Sequence, residues 1–544
     1  MFRALAVLLE VLVRMSRAVA VVLVAAVALP APAFAKGGAG SGPSGSAAPA
    51  SFAFVGRYAT GLPGTSAETT AFDGDRLYVS NADNGSVDIV DVADPAAPER
   101  RVRLDLRSLA GLGPEASVTS VAARDGVVAV AVAADPKTDP GQVLVLDRDG
   151  QPLGWAPVGA NPDALTFTPD GRRILVANEG EPSSYLVGPA GDPEGSVSMI
   201  TLPPGQAKGA GNRQAALPVR TVGFTDFNVG GRRHAELPAG VRIFGPNATV
   251  AQDLEPEYVS VSPDGRTAYV ALQENNAIAV IELPSGRLRA IKALGFQDHG
   301  TVPLDASDQD GAINIRTWAN VYGMYQPDQV AAFQAAGRTY LLTANEGDSR
   351  SDWPGLTEDV RARSVTTDAS FPNRANAQVG RLTVTTSVPA SPAPQSTLYA
   401  FGSRSFSIWD ADVRQVWDSA DQLEQLVAAA NPAFFNSTND ANNFDNRSDN
   451  KGPEPEGALT AVIAGRTYGF VGLERQGGVV VADLSDPTAP VILQHLQTRS
   501  FSGSSVGPDS GPEGMAFVGN GPGGQPLLAV GNEVTGTVTL FTTD

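Results

Sequence analysis

The chain has 544 residues, 42% of them hydrophobic, with 58 glycines, 41 prolines, 7% aromatics, no cysteine and a formal net charge of −19. Without cysteine there is no disulfide, thiol nucleophile or thiolate-held metal, and His234, His299 and His495 are too scattered for a histidine-rich zinc centre. The acidic balance disfavours nucleic acid and anionic membranes as partners, and the glycine and proline content suits short strands and turns better than helices.

In chain order, Arg14 and Arg17 precede an apolar run over residues 18–29, and Ala33-Phe34-Ala35 fits a small-residue cleavage site. Residues 1–35 are therefore read as a signal peptide, the run being short for a spanning helix. Residues 36–50 read as a flexible Gly/Ser/Ala linker. No second apolar segment follows and the chain ends at Phe541-Thr-Thr-Asp544, so neither a later membrane span nor a C-terminal anchor is expected. The expected location is secreted, periplasmic or extracellular.

Residues 51–544 form one domain of repeats. Glu68-Thr-Thr-Ala-Phe-Asp-Gly begins a first unit, and a weaker second lies near Ser117-Val-Thr-Ser-Val-Ala. Five more begin with an acid after proline, at Pro162-Asp163, Pro256-Glu257, Pro327-Asp328, Pro455-Glu456 and Pro512-Glu513. A glutamate follows sixteen to twenty residues later in each, at Glu179, Glu274, Glu346, Glu474 and Glu533. Pro169-Asp-Gly171 and Pro263-Asp-Gly265 read as hairpin turns between the two acids. Such units cannot bury their faces alone, and seven of them predict an all-β, seven-bladed β-propeller of the YVTN/WD40 kind. Phe52-Ala-Phe-Val-Gly-Arg-Tyr58 is left over and is expected to pair beside Thr537-Val-Thr-Leu-Phe541, closing the ring. Insertions are expected near 182–250, 296–325 and 403–452, the last with a helix capped by Ser419 and stopped at Asn431-Pro432.

Residues at one repeat position of a propeller face its central channel. Glu68, Asp163, Glu257, Asp328, Glu456 and Glu513 are expected at one mouth, with Glu179, Glu274, Glu346, Glu474 and Glu533, and Asp348, as a second tier. Carboxylates this close raise one another's pKa and need cations or basic partners to stay ionised. Oxygen-only ligands suit calcium or magnesium, so Ca2+ is the expected ion. The basic partners at hand are Arg350, Lys451 and Arg475. The competing reading is that the acids accept backbone hydrogen bonds and stitch blades together. Asp305, Asp308 and Asp310 resemble a calcium loop in composition but not in EF-hand spacing, so an Asx-rich turn competes there. Gly503-Ser-Ser-Val-Gly507 matches a nucleophile-elbow pattern without its strand-to-helix context.

Longer motifs carry a resemblance. Phe401-Gly-Ser-Arg-Ser-Phe-Ser-Ile-Trp-Asp410, Asp449-Asn-Lys-Gly-Pro-Glu-Pro-Glu-Gly457, Gly472-Leu-Glu-Arg-Gln-Gly-Gly478 and Ala344-Asn-Glu-Gly-Asp-Ser-Arg350 are similar to the choice-of-anchor I family. So are Leu304-Asp-Ala-Ser-Asp308 and Asn532-Glu-Val-Thr-Gly-Thr-Val538. That family is related to mesenchyme-specific cell-surface glycoproteins, and some bacterial members are labelled alkaline phosphatase or phytase-like. The resemblance implies a secreted or surface-tethered propeller over essentially the whole mature chain. Two functions follow as expectations. One is a monomeric extracellular binding or scaffold propeller for a polymer or protein, with divalent cations on the acid cluster. The other is a calcium-dependent phosphomonoesterase in which Arg350, Lys451 or Arg475 neutralises transition-state charge on a small phosphoester.

Overall fold

A computed structural model describes residues 48–63, 65–204, 216–351, 353–368, 371–387, 396–503 and 506–543. The predicted leader, most of the linker and part of the Gly503–Gly507 motif lie outside the described residues. Alternating and continuous apolar runs become strands, and α-helix is confined among the described residues to three short segments, the longest being Gln422–Ala430. No helix among them is long and apolar enough to cross a membrane.

Among the described residues, seven antiparallel four-stranded sheets follow one another along the chain, with one five-stranded sheet between the fourth and the sixth. The architecture is all-β, of the β-propeller kind. The first strands of the seven are Thr70–Asp73, Ser117–Arg124, Pro162–Phe167, Val259–Val261, Val330–Ala335, Pro455–Ile463 and Pro512–Val518. Each of these touches the next in that order, and Pro512–Val518 touches Thr70–Asp73. Second strands such as Arg76–Asn81, Val127–Ala133 and Leu527–Asn532 are buried along their whole length, as expected of strands covered on both faces. Fourth strands such as Glu99–Asp105 are polar and largely open to solvent.

The core is divided accordingly. One apolar cluster lies between each pair of successive sheets, for example Val130 and Val132 with Val87 and Ile89, or Val480 and Ala482 with Leu342 and Ile408. Another joins the seventh sheet to the first through Leu527, Ala529, Leu77 and Val79. Stability therefore rests on sheet-to-sheet interfaces, as in other repeat architectures. The leftover N-terminal strand, Phe52–Ala59, pairs antiparallel with Thr537–Thr543, bringing Tyr58 opposite Val538 and Phe54 opposite Phe541. Both predicted Pro-Asp-Gly turns are present, with Gly171 and Gly265 at φ 67° and 70° and their N–H groups donating to Thr168 and Ser262 carbonyls, both at 2.8 Å.

Two expectations need correction. The fifth sheet is interrupted between Arg338–Ala344 and Phe406–Asp410, a stretch not foreseen as an insertion. Its short strands Asp359–Arg361, Thr383–Thr385 and Leu398–Ala400 join Phe296–Asp298 and Val321–Met324 as the five-stranded sheet. Three-residue strands separated by polar sequence leave no periodic signal. The helix begins after Asp421, not Ser419. Ser419 instead accepts the Phe406 N–H on its hydroxyl at 2.9 Å, tying down the strand before the helix.

Candidate acidic mouth

The placement of the acids begins with backbone geometry. Proline opens the first strand of sheets three, six and seven, where a missing N–H costs little. Pairing then slips between Pro162 and Leu165, Pro455 and Ala458, and Pro512 and Met515. The extra residues form a bulge, which breaks side-chain alternation and re-aims what it carries. Its first residue is the acid in each sheet, Asp163, Glu456 or Glu513. In sheet two the slip lies between Val118 and Ser120, and the bulged residue is Thr119, whose hydroxyl donates to the Pro162 carbonyl at 2.5 Å. Gly457 and Gly514 complete two bulges because a Cβ there would lie 2.4 Å from the backbone oxygens of Glu513 and Glu68, in the next sheet round.

The first tier is thereby assembled. Glu68, Thr119, Asp163, Tyr258, Asp328 and Glu513 line a cavity of about 80 Å3. Among the described residues, Glu68, Glu257, Glu456 and Glu513 each have a buried Oε2 that meets no hydrogen-bond partner. Burial, reinforced by neighbouring carboxylates, holds Glu68, Glu257, Asp328, Glu456 and Glu513 well above the ordinary carboxylate range. Asp163 is pushed up to about 7 by burial and Glu181, against the pull of Lys137.

The second tier sits beside it. The N–H groups of Glu179, Glu474 and Glu533 donate to the carbonyls of Asn161, Glu454 and Gly511 at 2.9, 2.8 and 2.8 Å. In these three sheets the second glutamate thus faces the residue before the proline. Where that residue is itself glutamate, carboxylates converge. Glu179, Glu255 and Glu274 bring ligand oxygens within 4.8 Å of one another, as do Glu346, Glu454 and Glu474. A third group, Asp328, Glu346 and Glu456, links the tiers through Glu346. Glu533 is raised by burial despite Arg475, and Asp348 reaches about 7 through burial opposed by Lys451.

The three predicted bases all lie here, each engaged by acids. Arg350 has no exposed surface, pairs with Asp253, contacts Glu255 at 2.8 Å and Glu274 at 3.9 Å, and stacks over Phe244 at 4.6 Å. Lys451 contacts Glu346 at 2.5 Å, Glu454 at 3.2 Å and Asp348 at 3.7 Å. Arg475 contacts Glu454 and Glu474, both at 3.1 Å. Burial pushes Glu454 up, but Lys451, Arg447 and Arg475 outweigh it and hold the carboxyl at about 2. Glu474 is carried to about 8 by burial, only partly offset by Arg475.

The Asp-rich loop is organised differently. Asp305 accepts the N–H groups of Ser307 and Asn314 at 3.3 and 2.5 Å, Asp308 pairs with Arg381 at 2.9 Å, and Asp310 accepts the Asn314 amide at 2.8 Å. The structure does not bring these three into a common carboxylate group among the described residues.

Sequence reasoning missed Glu255 and Glu454. The signal was available, because Glu-Pro-Glu occurs at residues 255–257 and 454–456 and only its second acid was counted. Asp253, Arg447, Lys137 and Glu181 also reach the mouth, and no spacing announces them.

The fold and this mouth define a class of acid-lined, propeller-type protein. Residues 68–487 match the choice-of-anchor I domain, and the chain belongs to that family. Gigasin-3a of Magallana gigas is 32% identical over 162 residues, 26% of this chain and 57% of that protein. A mesenchyme-specific cell surface glycoprotein of Strongylocentrotus purpuratus is 24% identical over 292 residues, 46% of this chain and 37% of that protein. The chain thus spans little more than half of one relative and about a third of the other. Among solved structures, Kuenenia stuttgartiensis hydrazine synthase aligns with a TM-score of 0.44 at 14% identity, covering 89% of this chain and 96% of that one. The β-propeller domain of Myceliophteria thermophila Cps50 (Swd1) gives 0.40 at 10%, covering 90% and 100%. Scores this low carry nothing further for this chain.

Proposed function

We propose that the chain is an extracellular seven-bladed β-propeller, closed by its N-terminal strand, that serves as a binding or scaffold module with divalent cations at its acidic mouth. The succession of first-strand contacts and the pairing of Phe52–Ala59 with Thr537–Thr543 support the ring. The name of the sea-urchin relative supports a surface or extracellular location. The observation that carries the cation reading is the set of buried carboxylate oxygens on Glu68, Glu257, Glu456 and Glu513 that no donor among the described residues meets. A buried carboxylate without compensation is costly, and a hard cation with oxygen ligands relieves it. The all-carboxylate donor set fits Ca2+ or Mg2+ better than zinc. The ligand of the scaffold is an extracellular polymer or protein. Chelated protein titrated with calcium should melt at progressively higher temperature; a melting point indifferent to calcium and magnesium overturns the cation reading.

One observation favours a second reading, calcium-dependent phosphomonoester hydrolysis. Glu346 belongs to two carboxylate groups, the arrangement a two-ion site requires, and Lys451 and Arg475 stand beside it. Turnover of p-nitrophenyl phosphate that calcium supports and chelator removes is its test. Absence of such turnover leaves the scaffold reading alone.

A further inference from the structure

The two second-tier triads occupy equivalent repeat positions. Each combines the second glutamate of one sheet, the glutamate before proline of the next sheet, and that sheet's own second glutamate. Glu179, Glu255 and Glu274 are so related across sheets three and four, and Glu346, Glu454 and Glu474 across sheets five and six. What differs is the positive charge. Three cations serve the second triad: Lys451 contacts Glu346 and Glu454, Arg475 contacts Glu454 and Glu474, and Arg447 pairs with Glu454. In the first, among the described residues, Arg350 reaches Glu255 and Glu274 and is shared with Asp253, while Lys137 is paired with Glu181 and acts on Glu179 from beyond ion-pair distance.

That difference shows in the hydrogen bonding. Glu255 and Glu274 are 1% and 3% exposed, yet Glu255 Oε1 and Glu274 Oε2 meet no hydrogen-bond partner among the described residues. Glu179 Oε2 accepts the Asn161 amide at 2.5 Å, a neutral donor that supplies no charge. In the second triad Glu346 receives both Lys451 and the Gln273 amide, and Glu474 both Arg475 and the Asn439 amide.

We propose that Glu179, Glu255 and Glu274 hold a hard divalent cation of the calcium or magnesium class, and that the Lys451 ammonium fills the equivalent place in the second triad. This assignment rests on the cation-binding reading above and adds a second-tier site to the first-tier oxygens of Glu68, Glu257, Glu456 and Glu513 on which that reading stands. Two copies of one design are then charged in two ways, one by an exchangeable ion and one by a tethered amine. A lysine is a compact point charge on a flexible stem, which suits it to this substitution better than a guanidinium fork.

Calcium stoichiometry and affinity, measured by equilibrium dialysis on the whole mature chain with magnesium as a parallel arm, provide the test. Glu274→Gln should lose the site or weaken it by at least ~10-fold, since affinity follows ligand charge. Glu255→Gln is the substitute where Glu274→Gln fails to give the native circular dichroism spectrum. Lys451→Met should bind one more calcium than the parent, and calcium should raise its melting point more than it raises the parent's. If the parent binds neither ion, the cation reading fails and this assignment with it. If the parent binds calcium and both glutamine variants bind it as well as the parent, this assignment alone is overturned. A Lys451→Met protein with no additional calcium overturns the claim for Lys451.

Discussion

The acidic mouth and the Asp-rich loop at residues 304–314 hold the same kind of side chain in opposite circumstances. In the loop every aspartate is met by its own surroundings: two backbone N–H groups on Asp305, Arg381 on Asp308, Asn314 on Asp310. In the mouth, carboxylates from different sheets face one another, and several buried oxygens meet no donor among the described residues. Acid density therefore does not distinguish a binding site from a well-made turn. The shortage of donors does.

The comparison breaks most sharply at Arg350. Arg350→Ala strands Asp253 and Glu255 in the interior and should cost ~3–5 kcal/mol, read by chemical denaturation. A loss below ~1 kcal/mol would mean that the buried pairs are not what holds the mouth together.

Calcium comes next in size. At a hundred times its dissociation constant it should stabilise the chain by ~2.7 kcal/mol. Asp310→Asn should leave that increment unchanged; if it removes the increment, the ion sits in the loop and the contrast between the two regions is reversed.

Acidity sharpens the same contrast in chelated protein. Folded-state carboxyls whose pKa is raised bind protons that the unfolded chain has released, so stability is full at low pH and falls as pH rises through the folded value. With Asp163 at about 7 and Glu474 at about 8, the melting point should decline between roughly pH 5 and 8, and calcium should flatten the decline. A melting point that climbs over that interval would contradict the raised carboxyls.

The smallest effect belongs to the loop itself. Asp310→Asn should alter stability by less than ~1 kcal/mol, because of the two hydrogen bonds on Asp310, from the Ala312 N–H and the Asn314 amide, an asparagine can keep the first on its own Oδ1. A larger loss would give the loop a structural role beyond its own turn.

Much of this was legible because it is local and repeated. The Pro-Asp-Gly hairpins, the acids after proline and the N-terminal strand seeking the last one could all be read from spacing. The mouth's outline was legible too, since Arg350, Lys451 and Arg475 lie within the motifs that carry its acids. What could not be read was set by contacts between sheets. Nothing near Glu255 in sequence announces Glu179 or Arg350, and nothing near Glu454 announces Glu346 or Arg475. The five-stranded sheet escaped notice because its strands are too short to show a period. Ser419 drew the helix start two residues early because a serine before an apolar run also serves to hold a strand.

The pairing of Phe52–Ala59 with Thr537–Thr543 has a consequence for the order in which the molecule can form. Among the described residues, five of the four-stranded sheets are completed from strands consecutive in the chain, and the fifth sheet and the five-stranded sheet interleave within one stretch, so these can assemble from neighbouring segments. The remaining sheet needs the first described strand and the last, and joining ends so far apart is the contact with the greatest loop-closure cost. Until the C-terminal strand is available, Phe52–Ala59 remains an unpaired edge, open to the wrong neighbour. A chain shortened at either end would therefore keep most of its sheets and still be prone to join another copy of itself, exchanging the strand it lacks.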